Sequence, residues 1–203
     1  MFAYTQLDVR NFMLLQRRTR IWMWAIRSDV AAAPAVGEVL KVLLQLERPQ
    51  PAPLVRFLGH VDNDKQARQT INEREQAVLD CVLQERALQL QPEELLDLVV
   101  DIAKSVSRAP WCVQATPCVL PNSRLHWRRQ QRVLDAREMA ALQGIWPRDF
   151  PALESWCKSD KRSLVVRDMA GNAFTSTICT AVCFGFMVAI SPCSKQKQLC
   201  ETS

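Results

Sequence analysis

The stretch on which the fold reading turns is Phe12-Met13-Leu14-Leu15-Gln16-Arg17-Arg18-Thr19-Arg20-Ile21-Trp22-Met23-Trp24-Ala25-Ile26. Its second half, Ile21 to Ile26, is an unbroken apolar run with β-branched and aromatic side chains, the length and chemistry of a buried strand. Gln16, Arg17, Arg18 and Arg20 stand directly before it. A strand entered through arginines carries rigid guanidinium forks at its mouth, where they match carbonyl and phosphate oxygens. The segment therefore predicts a strand with a cationic, hydrogen-bonding entrance.

Composition says what that strand belongs to. The chain has 203 residues, 48% hydrophobic and 23% charged, which suits one folded domain or a small domain packed on part of another. Five glycines are too few for an all-β fold or a phosphate-cradling loop, so helix is the default expectation. The net charge of +5 is modest, and its placement is more informative. Basic residues gather at Arg17, Arg18 and Arg20 and again at Arg124, Arg128, Arg129 and Arg132, whereas 72–101 is acid-rich. Such clusters either follow a phosphate backbone or form a solvated basic surface.

The eight cysteines have neither disulfide-framework nor zinc spacing. No C-x-x-C pair occurs, and His60 and His126 are the only histidines, so no metal is expected. Cys179 and Cys183 have the spacing of buried helix positions, which points to reduced core thiols in an intracellular protein. The N-terminus lacks the apolar core of a secretory signal. Ala173 to Cys193 carries no charge, but its strongly apolar part, Ala181 to Ile190, is short for a bilayer span and reads as a buried core helix, so no membrane is expected.

Four regions follow: 1–27, 28–127, 128–190 and a polar tail, 191–203. A short helix is expected over Gly37 to Leu46, closed by the proline-rich run 48–53. Asn72 with Glu75 three residues on has the form of a capping box, opening a helix through Leu88. Pro92 suits the first turn of another, Glu93 to Val106. Ala109 to Trp127 reads as loop. A helix is expected around Ala136 to Leu142 with Gly144 as its cap, then a strand over Ser163 to Arg167, then the apolar helix 175–190.

Three of these segments, in order, resemble motifs of the cytosine-C5 DNA methyltransferase family. Gln16, Arg18 and Arg20 match the Q-x-R-x-R core of its eighth motif, although Met13 and Leu15 replace a glycine and a proline. Arg132-Val133-Leu134-Asp135-Ala136-Arg137-Glu138, continuing to Leu142-Gln143-Gly144-Ile145-Trp146-Pro147, is similar to the ninth, R-x-L-T-x-R-E followed by L-Q-G-F-P, with Asp135 in place of threonine. Met169-Ala170-Gly171-Asn172-Ala173-Phe174 is similar to the tenth, G-N-A/S, whose asparagine sits beside S-adenosylmethionine. The resemblance covers about a third of the chain.

It implies an α/β fold: the C-terminal portion of a Rossmann-like S-adenosylmethionine-dependent sheet, interrupted at 28–127 by a mainly helical target-recognition region. It also implies a nuclear enzyme acting on DNA, with RNA as the alternative substrate, since enzymes of both kinds share these motifs. Arg18 and Arg20 would contact the extruded base in the active site. Gly171, Asn172 and Ala173 would lie at the cofactor, and Gln16, Arg17, Arg124, Arg128 and Arg129 at the nucleic acid. Arg137 and Glu138 would brace the recognition region against the core. The family's nucleophilic cysteine in a Pro-Cys motif, its Glu-Asn-Val motif and its glycine-containing loop all precede the eighth motif and are absent from this chain. Pro117-Cys118 and Pro192-Cys193 follow that motif and lack its context, so both read as incidental. The chain alone is thus expected to be inactive. A reading of a different class is a small helical adaptor that binds protein or nucleic acid through its arginines; in that case the outer segments need not meet.

Overall fold

The computed structural model describes residues 2–25, 27, 34–48, 53–58, 70–173 and 175–190. Ile26, most of the proline-rich run, His60, Phe174 and the tail with Pro192-Cys193 lie outside the described residues. The expected strand is present as β2 (Thr19–Ala25), but it is not buried as expected: Trp24 alone is buried, while Ile21, Met23 and Ala25 are exposed. It pairs with β1 (Phe2–Asp8) in register Phe2↔Ala25 to Asp8↔Thr19. The pairing is antiparallel, as is every other strand ladder among the described residues. Residues 9–18 between the two strands are too short for the crossover a parallel pair needs. That link is no exposed turn, because Val9, Phe12, Leu14, Leu15 and Gln16 are all buried.

Two helices cover one face of this hairpin. Helix α1 (Pro34–Leu46) begins a turn earlier than expected, with proline in its first turn, a position where the missing N–H costs nothing. Helix α2 (Leu54–Leu58) follows, with Leu54 and Leu58 buried. Val39 and Leu43 of α1 are fully buried, and Gly185 of the closing helix lies against Val39. These contacts join Leu7, Trp24, Ile178 and Ala181 in the main hydrophobic core.

The region 70–133 forms a second layer. Helix α3 (Glu73–Ala87) opens on the expected capping box, with Asn72 accepting from the Glu75 N–H and Glu75 accepting from the Asn72 N–H. The next expectation fails. The helix predicted over Glu93 to Val106 is only α4 (Pro92–Leu96), and the chain then becomes β3 (Leu98–Asp101). Leu98, Val99 and Val100 are buried on both faces between β4 (Trp111–Val113) and β5 (Leu125–Trp127). A continuous apolar run fits either period, and neighbouring strands decide it. Those two strands arise inside the stretch expected to be loop. With β6 (Arg132–Val133) the order is β4-β3-β5-β6.

His126 sits in the middle of this sheet, 2% exposed, and its Nδ1 has no partner among the described residues. Desolvation pushes its pKa down to about 4, so the folded protein holds it neutral. The unfolded chain takes up a proton near pH 6.5 that the fold refuses, so stability falls as pH drops from about 6.5 to about 4 and levels off below. The expected loss from this residue is roughly 2–3 kcal/mol. Urea midpoints at pH 7 and pH 4.5 for wild type and His126→Leu check it: equal pH dependence in the two proteins contradicts the assignment.

The last third returns to the first layer. Helix α5 (Ala136–Ala141) opens on a second capping box, Asp135 with Glu138, and Gly144 closes it at φ +76°. Helices α6 (Pro151–Cys157), α7 (Asp160–Asn172) and α8 (Ser176–Ile190) follow. The strand expected over Ser163 to Arg167 is instead the middle of α7. Leu164 and Val165 are exposed, while Val166, Arg167, Ala170 and Gly171 are buried at helical spacing, a period that five residues alone do not reveal. Among the described residues no single helix is long and apolar enough to cross a membrane. The protein is thus mixed α/β, with two small antiparallel sheets among the described residues.

Candidate functional site

The three segments that carry the family resemblance meet at one buried point. The link between β1 and β2 carries Gln16 inward to zero exposure, and the turn after α5 does the same with Gln143. Gln16 Nε2 donates to Gln143 Oε1 at 2.8 Å and to the Leu142 carbonyl at 2.9 Å. Gln143 Nε2 donates to the Ala170 carbonyl at 2.7 Å, and Thr175 Oγ1 donates to Gln143 Oε1 at 3.2 Å. The Val119 N–H, at 3.4 Å, completes Gln16 from the 109–127 stretch. The partners are 126, 127, 103 and 27 residues apart along the chain. Two primary amides suit this role, since each offers donors and acceptors in one plane, and a buried polar network rigidifies its surroundings only when satisfied throughout.

The same junction anchors α8. Its first residue donates from the backbone to the Gln143 carbonyl and from Oγ to the Gly144 carbonyl, both at 2.9 Å. Beside it, Arg18 Nη1 donates to the Ala173 carbonyl at 3.1 Å, linking the first segment directly to the third. Partial burial lowers the Arg18 pKa from its ordinary value; Cys118 works against that shift and Arg20 adds like-charge repulsion. Arg20 is exposed and shares its face of the hairpin with Trp22 and Trp24. Trp24 meets Phe186 of α8 edge-on at 6.2 Å, so Arg20 lies on the helix-covered side. The two ends of the chain therefore meet through side chains and helix packing rather than through a shared strand, because 160–172 is helical.

The residues expected at the cofactor divide. Asn172 is exposed, but it ends α7 instead of opening α8. Gly171 is buried, and a Cβ there would run into the backbone of Leu120 and Pro121. The Ala173 carbonyl is engaged by Arg18. Of the three, one amide is offered, one position is closed by packing and one carbonyl accepts from Arg18.

The arginines divide as well. Arg17 is exposed next to the junction, its backbone N–H bonded to the Thr116 carbonyl. Arg128 is half-buried in the turn after β5. Arg124 is held by Glu75 at 2.9 Å and by the Thr70 carbonyl at 3.0 Å, and Arg129 by Asp97 at 2.7 Å. Arg132 grips Glu138 with both nitrogens at 2.6 Å, tying β6 to α5, and Arg137 pairs with Glu154 at 2.8 Å. Burial pushes the Glu138 carboxyl up, and the Arg132 fork opposes that. Sequence reasoning singled out the clusters but not the carboxylates that occupy half of them. It also passed over Gln143 as a partner of Gln16. Pro117-Cys118 proves to lie within electrostatic reach of Arg18, with its thiol directed at the Val119 carbonyl. No protein-family model matches the chain, and no curated protein matches it.

Proposed function

We propose that this chain is the DNA-facing C-terminal part of a methyltransferase acting on C5 of cytosine, with Arg18 and Arg20 at the extruded base and Arg17 and Arg128 at the phosphate backbone. What carries the reading is the buried Gln16–Gln143–Ala170 network. The three segments that resemble the family's motifs are remote in sequence, and here they share a single set of hydrogen bonds. An adaptor that used its arginines independently has no need for such a junction. On this reading the β1–β2 hairpin is the margin of a larger Rossmann-like sheet, and 70–127 is the core of the target-recognition region.

S-adenosylmethionine supplies the methyl group when bound. The chain's own residues position and neutralise: Arg18 is fixed by the Ala173 carbonyl, and Arg20 and Arg17 extend positive charge from the same entrance toward a polyanion. The nucleophilic thiol of the family has no counterpart in the expected context, so the chain alone transfers no methyl group and binds the cofactor more weakly than about 1 mM.

The test is binding of a fluorescent duplex followed by anisotropy across 50–200 mM salt. Arg17→Gln/Arg128→Gln is expected to flatten the log–log salt slope by about 2, one for each phosphate that is no longer neutralised. Arg124→Gln is expected to leave the slope unchanged and to lower stability, since its charge is held by Glu75. An unchanged slope in the double variant defeats the reading, and robust methyl transfer by the chain alone defeats the claim that it is inactive.

A further inference from the structure

The outer face of the β1–β2 hairpin is a feature that the proposed function leaves unused. Antiparallel pairing puts Phe2 opposite Ala25, Tyr4 opposite Met23, Gln6 opposite Ile21 and Asp8 opposite Thr19, all on one side. The opposite side, with Leu7 and Trp24, is packed against the core. On the outer side Phe2 is 64% exposed, Tyr4 68%, Ile21 66% and Met23 69%. The rings of Phe2 and Tyr4 are neighbours, 6.3 Å between centroids. From Ile21 to Ala25 the strand is therefore apolar on both faces while only one is covered, and a strand of that pattern belongs to a sheet buried on both sides.

Size and charge indicate what covers it. A whole aromatic side chain buries roughly 150–250 Å², so two aromatics and two large aliphatics, each about two-thirds exposed, present on the order of 400–500 Å², a patch at the size that marks interaction sites on monomers. With Ala25, Gln6 and Thr19 around them, the covered area approaches the roughly 800 Å² per partner of a standard interface. Those seven residues bear no formal charge, and the carboxylate at the edge, Asp8, is paired with Arg10 at 2.8 Å. The chain as a whole carries +5, so two copies repel one another over their basic surfaces. A neutral, apolar face is where two copies can approach without that cost.

We propose that the outer face of the β1–β2 hairpin is a self-association surface, on which a second copy of this chain packs face to face about a two-fold axis. The arrangement is isologous, with the same patch used by both copies. The proposal does not depend on the methyltransferase reading.

Sedimentation equilibrium of the purified chain tests it. Wild type is expected at twice the 23.1 kDa chain mass at micromolar concentration. Met23→Glu or Tyr4→Glu, which sets two like charges against each other at the two-fold, is expected to weaken the dimer on the order of 100-fold or more. Met23→Thr keeps a strand-forming residue while taking away apolar surface, and is expected to weaken it with an unchanged far-ultraviolet spectrum. Leu164→Glu, on the exposed side of α7, makes the same kind of change elsewhere and should leave the dimer intact. A monomeric wild type overturns the proposal and leaves the face to a different protein. A dimer that survives both Met23 variants overturns it too.

Discussion

Gln143→Leu is expected to lower the unfolding free energy by about 4 kcal/mol, because it removes three buried hydrogen bonds and strands their three partners at about 1–3 kcal/mol each. Leucine is close in volume, so the loss is not one of packing. It leaves the Ala170 carbonyl, the Thr175 hydroxyl and one Gln16 amide hydrogen without their present partner, in a place water does not reach. Urea unfolding followed by tryptophan fluorescence measures the effect. The companion variant Gln16→Leu strands the Val119 N–H and the Leu142 carbonyl instead. Because the two glutamines share a bond, the double variant should cost less than the two singles added, with a coupling of about 1–2 kcal/mol. A cost under about 1 kcal/mol for Gln143→Leu would mean that the junction is not what holds the three segments together.

Gly171→Ala is expected to destabilise by about 3 kcal/mol or more, since an added methyl in a closed site costs about 1–3 kcal/mol when side chains can yield and here the obstacle is main chain. Helix propensity by itself argues the other way, because alanine improves on glycine inside a helix by about 1 kcal/mol. The sign of the measured change therefore separates the two effects. Relief requires moving either residues 120–121 or the last turn of α7. That turn also carries the Asp168 acceptor of the Asn122 N–H and the Ala170 acceptor of Gln143, and Arg167 one turn earlier donates to the Ser123 carbonyl at 2.9 Å. Movement there loosens the junction as well. If Gly171 served a cofactor instead, the variant would unfold at the wild-type temperature or above. Thermal unfolding decides between these outcomes.

Both predictions concern residues that resemble family motifs, yet one acts through buried hydrogen bonds and the other through packing. Gly171-Asn172 reads in sequence as a turn before a helix. In the fold Gly171 lets α7 approach another stretch of backbone, and only Asn172 remains exposed. Arg124 and Arg129 likewise read as phosphate contacts, but Glu75 and Asp97, 49 and 32 residues upstream, hold them. On the proposed function, the positive charge left for a polyanion is that of Arg17, Arg18, Arg20 and Arg128.

Local physics was legible in the residues themselves. The capping box at Asn72, the cap at Gly144 and the helical character of α8 depend on partners within about four residues, or on composition alone, and for that reason they could be read before any fold was known. The burial expected of α8 could not, and Cys183, Phe184 and Met187 are exposed. The strand character of Ile21–Ala25 also belongs to this group. Segments whose own pattern was degenerate waited for their neighbours. Leu98–Asp101 became a strand because β4 and β5 flank it, and Asp160–Asn172 became a helix because one side of it packs on α5 and on 120–123. The junction of Gln16, Gln143 and Ala170 belongs there too. Hydrogen bonds between side chains more than a hundred residues apart leave no periodicity to read, and they exist only after the chain has closed its two ends on each other.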